Sequence, residues 1–278
     1  MSIDAWALHR PIATFGPERM FTDYQAYTKF SRTIRNSNRY ALDVHSQDFL
    51  RIFRENVHHR ETTVVAGTTL VRAVRDYDEI LGEHGEVVNV TGSSEDRVLP
   101  KKAFSIEGRV NPSGVVTLYL ASSQVTAVSE ARPWVGETIS IAWLSMTRDL
   151  RLADLSKGHN KSPFSELSFN ELLGETPIPE EKANQCVWND IDSAFSQPTT
   201  RTDTGAEYAP TQILSEILKC EGFDGIVYKS SFGGEHGYNV ALFNVADAKV
   251  MGCNAFSIDK IEISFSQAGN AWYKADDN

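Results

Sequence analysis

The sequence predicts an α+β protein, on three observations. Apolar residues recur at helical spacing through roughly the first 60 positions. From Thr62 the texture changes to short β-branched runs bounded by glycine, serine or proline. Helical stripes then return between the later runs. With 278 residues, 41% of them hydrophobic, the chain can bury the core of one large domain or two small ones.

The elements follow in order. Tyr27, Phe30 and Ile34 make one helical stripe within 24–34, and Phe49, Leu50, Phe53 and Val57 make another, with Ser46 as its expected cap. Both read as a helical layer packed on the main domain. Residues 63–66 and 69–74 read as strand, turn, strand. Residues 76–102, polar and acidic with Gly82, Gly85 and Gly92, read as a long loop or flap. Val115 to Leu120 is a buried strand and 124–131 a helix capped by Ser122 or Ser123, stopped by Pro133, with Val125, Val128 and Ala131 facing the sheet. Residues 138–144 alternate as a strand, and 148–155 add another.

Residues 156–207 break this rhythm and read as a helical insertion, two short helices separated by Pro177-Ile178-Pro179. A helix from Pro210 to Gly222 carries Ile213, Leu214, Ile217 and Leu218 on one stripe. Strands 225–228 and 239–243 flank a turn, and Ile261, Ile263 and Phe265 alternate as a closing edge strand before a frayed tail.

The formal charge of −10 argues against a general nucleic-acid binder, because phosphate backbones reward clustered Lys and Arg. A small anionic ligand stays open, since two or three local arginines reverse the field inside one cleft. No apolar run approaches the ~20 residues that cross a bilayer. The first residues lack the basic start and apolar core of a signal peptide, so a cytoplasmic protein is expected. Cys186, Cys220 and Cys253 are too widely spaced for a disulfide framework or a zinc site. His58-His59 point in different directions on a helix, lack a third ligand at metal-site spacing and read as solvated.

The chemistry concentrates in one stretch. Arg109 and Tyr119 stand ten positions apart, and Tyr119 and Glu130 eleven, so they fall on a loop, a buried strand and the helix after it. A guanidinium for phosphates, an aromatic hydroxyl and one carboxylate suit cleavage of a glycosidic bond in a dinucleotide such as NAD. The leaving group of such a bond is good, so the second carboxylate of glycoside hydrolases is not required. Each residue also has an ordinary reading: Glu130 as a solvated helix glutamate, Tyr119 as a half-buried strand tyrosine, Arg109 as a partner of Glu107. Arg132 reads as a structural partner of Glu130 or Glu137. Gln212 and Asn239 suit either a ligand or backbone groups, and the 233–237 turn with His236 reads as flexible because it lacks the lysine and hydroxyl of a phosphate-binding loop.

The pattern GR-x-N-P-x-G-x-x-x-L-Y-x-A…A-x-x-E-x-R-P, with Leu70-Val71-Arg72-Ala73 before it and Phe223-Asp224-Gly225-Ile226-Val227-Tyr228-Lys229-Ser230 after it, resembles the RES domain family. The likeness covers about 62–246. It implies a split-sheet core similar to ADP-ribosyltransferases, with an N-terminal helical extension over 1–61, the RES domain over 62–250 and an edge strand and tail over 251–278. It also implies an NAD-degrading enzyme, typically the toxin of a bacterial toxin–antitoxin pair, restrained by an antitoxin of helix-turn-helix type. By motif, Arg109, Tyr119, Glu130 and Ser230 take the catalytic positions. Arg72, Arg109, Tyr119 and Asn239 are the expected dinucleotide contacts. Ser231 competes with Ser230 for the serine position, because Lys229 stands where many members have proline. No metal and no cofactor beyond NAD itself is implied, with water or inorganic phosphate as the attacking group. Transfer of ADP-ribose to a protein and a non-catalytic binding module are the alternatives.

Overall fold

The computed structural model describes residues 19–101, 105–159, 161, 163–197, 205–232, 237–267 and 269. Two helices, α1 (Ala26–Asn36) and α2 (Val44–Asn56), open the described chain. Strands β1 (Glu61–Val64) and β2 (Thr69–Val74) follow, then the hairpin β3 (Asp78–Leu81) and β4 (Val87–Thr91) and a short helix, α3 (Glu95–Val98). Next come β5 (Leu118–Ala121), α4 (Gln124–Ala131), β6 (Thr138–Met146) and β7 (Leu150–Leu155). Helices α5 (Pro163–Glu166), α6 (Phe169–Leu172), α7 (Glu180–Ser196) and α8 (Ala209–Cys220) lead to β8 (Gly225–Lys229), β9 (Tyr238–Leu242) and β10 (Ala248–Ser257).

Eight strands join in the order β1-β7-β8-β9-β5-β2-β6-β10, with β7–β8 parallel and the other ladders antiparallel. The expected α+β class holds. The sheet is nearly parted at its centre: β2 and β5 share the single pair Val71↔Ala121. Where a second ladder bond would lie, Arg72 Nη1 donates to the Tyr119 carbonyl at 2.9 Å. A side chain thus replaces a backbone donor across the gap.

Alternation on β5 divides the two faces of the sheet. Leu118 and Leu120 enter a core with Leu144, Leu150 and Val240, while Tyr119 packs on the opposite side. That opposite side is covered by the N-terminal helices and the insertion: Phe21, Phe30, Phe49 and Phe53 meet Trp188, Ile191 and Phe195 of α7 and Leu214 of α8. Each such side chain contributes ~1.5–3 kcal/mol by burial. Arg60 locks the layer in place through the fully buried Asp192, 2.9 Å away, and lies over the Trp188 ring.

Several expectations change. The cap of α2 is Asp43, which accepts from the Ser46 amide, rather than Ser46 itself. Within the expected 76–102 loop, 78–98 forms a hairpin and a helix turn pinned by buried Val98, because Val87, Val88 and Val90 supply β-branched residues amid the polar ones. Helix α4 buries Thr126 and Ala127 while Val125 is 70% exposed, so the helix is rotated from the expected face. The stretch expected to hold two short helices carries three among the described residues, and the last, α7, is long, 17 residues. The C-terminal edge strand is β10 on β6, and 261–267 forms no strand. His58 is not simply solvated: it meets Arg151 Nη2 at 3.0 Å and stacks on Phe223. No group of residues suited to a metal occurs among the described residues, and no helix among them is long and apolar enough to cross a membrane.

Candidate active site

The register gathers the site. Asn239 on β9 lies opposite Ala121 of β5 and Tyr228 of β8. Directly paired residues share a face, and so do positions two apart on one strand. Tyr119, Tyr228 and Asn239 therefore project to one side, where α4 brings Glu130. They line a cleft of about 320 Å³ together with Arg72, Arg109 and Tyr208. The volume lies at the small end of the ~300–1,000 Å³ usual for ligand sites.

Glu130 is held rather than solvated. Its Oε1 accepts from Ser230 Oγ at 2.7 Å and from Asn239 Nδ2 at 2.6 Å. Oε2 has no hydrogen bond among the described residues and remains an acceptor for a ligand hydroxyl. The register question at the serine pair resolves here. Ser230 turns inward to Glu130, buried behind it, and Ser231 Oγ donates instead to the Ser196 carbonyl at the end of α7 at 2.7 Å.

Tyr119 is fixed at its hydroxyl, which donates to Asn111 Oδ1 at 2.6 Å and accepts from the Val110 amide at 3.2 Å. Burial, partly opposed by the Val110 hydrogen bond and the Arg109 charge, pushes the phenol up to about 12. It therefore stays protonated at neutral pH. Gly108 leaves the room: a Cβ there would stand 2.6 Å from Tyr119 Oη. Gln212 holds the same loop from behind, donating to the carbonyls of Gly108 and Asn111. Of its two open readings, the backbone one holds.

Arg109 does not pair with Glu107. Its Nε and Nη2 both reach the Gln197 carbonyl, at 2.9 and 2.6 Å, where the C-terminal end of α7 offers an unsatisfied acceptor. Arg72 sits in the split of the sheet, with Nε buried and without a hydrogen bond, and burial lowers its pKa from the usual guanidinium value. Arg132 pairs with neither glutamate. It ends α4 in the left-handed conformation at φ 49° and lies over the Phe232 ring, while Glu137 is taken by Arg75. His236 falls outside the described residues.

Of the six residues expected in the site, Arg72, Arg109, Tyr119, Glu130 and Asn239 line the cleft, and Ser230 supports Glu130. Sequence reasoning missed Asn111, Tyr228 and Tyr208. The first two stood inside the quoted motifs without a role. Tyr208 lies just before α8 and carried no signal.

A family model described as "RES domain" matches residues 99–265. The chain belongs to the RES domain family. The match takes in every expected site residue except Arg72, which precedes it. No curated protein matches this RES domain chain at a significant level. Among solved structures it is similar to a chain of the "Crystal structure of the M.tuberculosis MbcT-MbcA toxin-antitoxin complex", at 15% identity and a TM-score of 0.39, covering 74% of this chain and 92% of that one.

Proposed function

We propose that this RES domain protein cleaves the nicotinamide–ribose bond of NAD⁺, and that it is the toxin of a toxin–antitoxin pair. The observation that carries the enzymatic reading is Glu130. A carboxylate fixed on one oxygen by Ser230 and Asn239, with the other left to accept, stands in a cleft with two arginines, the half-buried Tyr119 and the buried Tyr228. Departure of nicotinamide leaves positive charge on the ribose ring, and a pre-oriented carboxylate stabilises that charge without having to reorganise. Arg109 is suited to the pyrophosphate, because a planar fork matches phosphate oxygens. Tyr119, protonated and anchored through Asn111, serves as a rigid wall and hydrogen-bonding surface rather than as a base. Water or inorganic phosphate then completes the reaction at the ribose carbon. The toxin reading rests on membership of a family typically made of such toxins, and implies a cytoplasmic protein with an antitoxin partner of helix-turn-helix type.

The test is release of nicotinamide from NAD⁺ by the purified protein. It should collapse in Glu130→Gln and Arg109→Ala variants that retain the wild-type melting profile. Acceleration by added phosphate separates phosphorolysis from hydrolysis, and label transferred from NAD⁺ to protein would point to an acceptor side chain instead. Intact NAD⁺ after incubation with folded wild-type protein would overturn the enzymatic reading. For the toxin reading, expression alone should arrest bacterial growth with loss of NAD⁺.

A further inference from the structure

A second cavity, about 440 Å³, lies on the far side of Arg109. Arg109 and Tyr208 line both hollows, so the two share a wall. Arg109 spans that wall: it donates to Gln197, which lines the second cavity, and bears on the hydroxyl of Tyr228, which lines the first. The remaining walls come from α1, α7 and the start of α8 with Glu207 before it, so the N-terminal helical layer builds a site as well as a core.

The chemistry of this cavity favours an anion. Three guanidinium groups, of Arg32, Arg35 and Arg109, face it against the two carboxylates of Asp190 and Glu207. Glu207 is already taken by Arg35 at 2.7 Å. Asp190 stands near Thr28 Oγ1, and although burial raises its carboxyl to about 6 it stays mostly ionised at neutral pH, so the three guanidinium groups exceed the two carboxylates by one charge. Arg32 makes no ion pair among the described residues. In a chain of net charge −10 this is a local reversal of sign. Tyr27 adds an aromatic wall, its buried hydroxyl forming no hydrogen bond of normal geometry, with Ser31 the hydroxyl that bears on it.

Size points the same way. The cleft at Glu130 is small for a whole dinucleotide, whereas the two hollows on either side of Arg109 together fall well inside the usual range for ligand sites. We propose that the second cavity is a subsite of the same cleft that takes the adenylate half of the dinucleotide, with Arg32 and Arg35 meeting its phosphate oxygens and Arg109 shared between the halves. This rests on the NAD⁺ reading above. It goes beyond that reading by giving the N-terminal helix a part in substrate binding.

The experiment compares wild-type full chain with Arg32→Ala, Arg32→Lys and Arg32→Ala/Arg35→Ala. Binding of ADP-ribose and of nicotinamide mononucleotide is measured by calorimetry, beside the KM and kcat of nicotinamide release. Loss of one charge-assisted phosphate contact corresponds to roughly a tenfold weakening. Arg32→Ala is therefore expected to weaken ADP-ribose by about that factor, to raise KM far more than it lowers kcat, and to spare nicotinamide mononucleotide. Arg32→Lys should recover part of the loss. Unchanged KM and ADP-ribose affinity in both alanine variants would overturn the subsite while leaving the NAD⁺ reading intact, and so would equal losses for both probes. Selective ADP-ribose loss without any nicotinamide release from wild type would support the subsite and sink the enzymatic reading.

Discussion

Adjacent serines offer a sharp test of the site because their hydroxyls do different things. Ser230 Oγ donates to Glu130 Oε1 at 2.7 Å, whereas Ser231 Oγ is spent on the Ser196 carbonyl. A hydrogen bond to a charged group contributes ~1.5–3 kcal/mol, and ~1.4 kcal/mol is a factor of ten in rate. If Glu130 must be held for the reaction, Ser230→Ala should lower kcat/KM by roughly 10- to 100-fold. Ser231→Ala leaves Glu130 with both donors and should cost less than about threefold, the scale of a surface substitution. Asn239→Ala removes the other donor to the same oxygen, at 2.6 Å, and belongs in the same series. Because both donors act through one atom, the double variant should lose less than the product of the two single losses. The assay is steady-state nicotinamide release, with thermal melts to exclude unfolding; Ser230 also accepts from the Phe232 amide, so a small drop in stability is expected for that variant. Equal activity in Ser230→Ala and wild type, or a larger loss in Ser231→Ala, would refute the assignment of Ser230 as the residue that positions Glu130.

Three further outcomes are expected. Gly108→Ala would put a methyl carbon 2.6 Å from Tyr119 Oη, so it should displace the ring and depress turnover in a protein that still folds, as read by activity beside near-ultraviolet circular dichroism. Tyr119 has its pKa raised to about 12 by burial. The unfolded chain gives up this proton near pH 10 while the folded one keeps it, so folding stability is intact below pH 10 and falls between there and about 12, at up to ~1.4 kcal/mol per pH unit. Tyr119→Phe should flatten that part of the urea-melt pH profile, and a profile as steep as wild type would contradict the burial argument. Arg60→Ala strands Asp192, whose side chain is 0% exposed, and should cost ~3–5 kcal/mol in a denaturant melt.

Much of this arrangement was legible in the chain because the site is built from local alternation. Tyr119 stands between Leu118 and Leu120 on a short strand, and the two leucines settle its face without reference to anything distant. Helix α4 follows within three residues, so the approximate position of Glu130 is nearly dictated by β5. The contacts that could not be read are those made between elements far apart in the sequence. The partner of Arg109 is the carbonyl of Gln197, 88 positions away, and any residue type would present the same carbonyl. Glu107 was the natural guess because it is near in sequence, but the open end of α7 offers an acceptor already in need of a donor. The rotation of α4 has a similar origin. Val125 is the more apolar residue, yet Ala127 is small enough to let the helix approach β2, and close packing outweighs side-chain hydrophobicity at that contact.

The split at β2–β5 joins the fold to the proposed chemistry. A continuous ladder there would satisfy the Tyr119 carbonyl with a backbone amide and close the sheet beneath the cleft. With one pair only, Arg72 supplies the missing donor from its Nη1, which draws a guanidinium to the floor of the site with its buried Nε uncommitted. That placement is costly, since burial disfavours the charge and lowers its pKa. A buried cation with spare donors is stabilised most by an anion, and an anionic ligand entering the cleft provides one. The arginine that mends the sheet thus makes it receptive to phosphate, and ligand binding should raise the melting temperature more in wild type than in Arg72→Met, where the same volume is kept and the charge is gone. An equal shift in both proteins would confine Arg72 to holding the strands together.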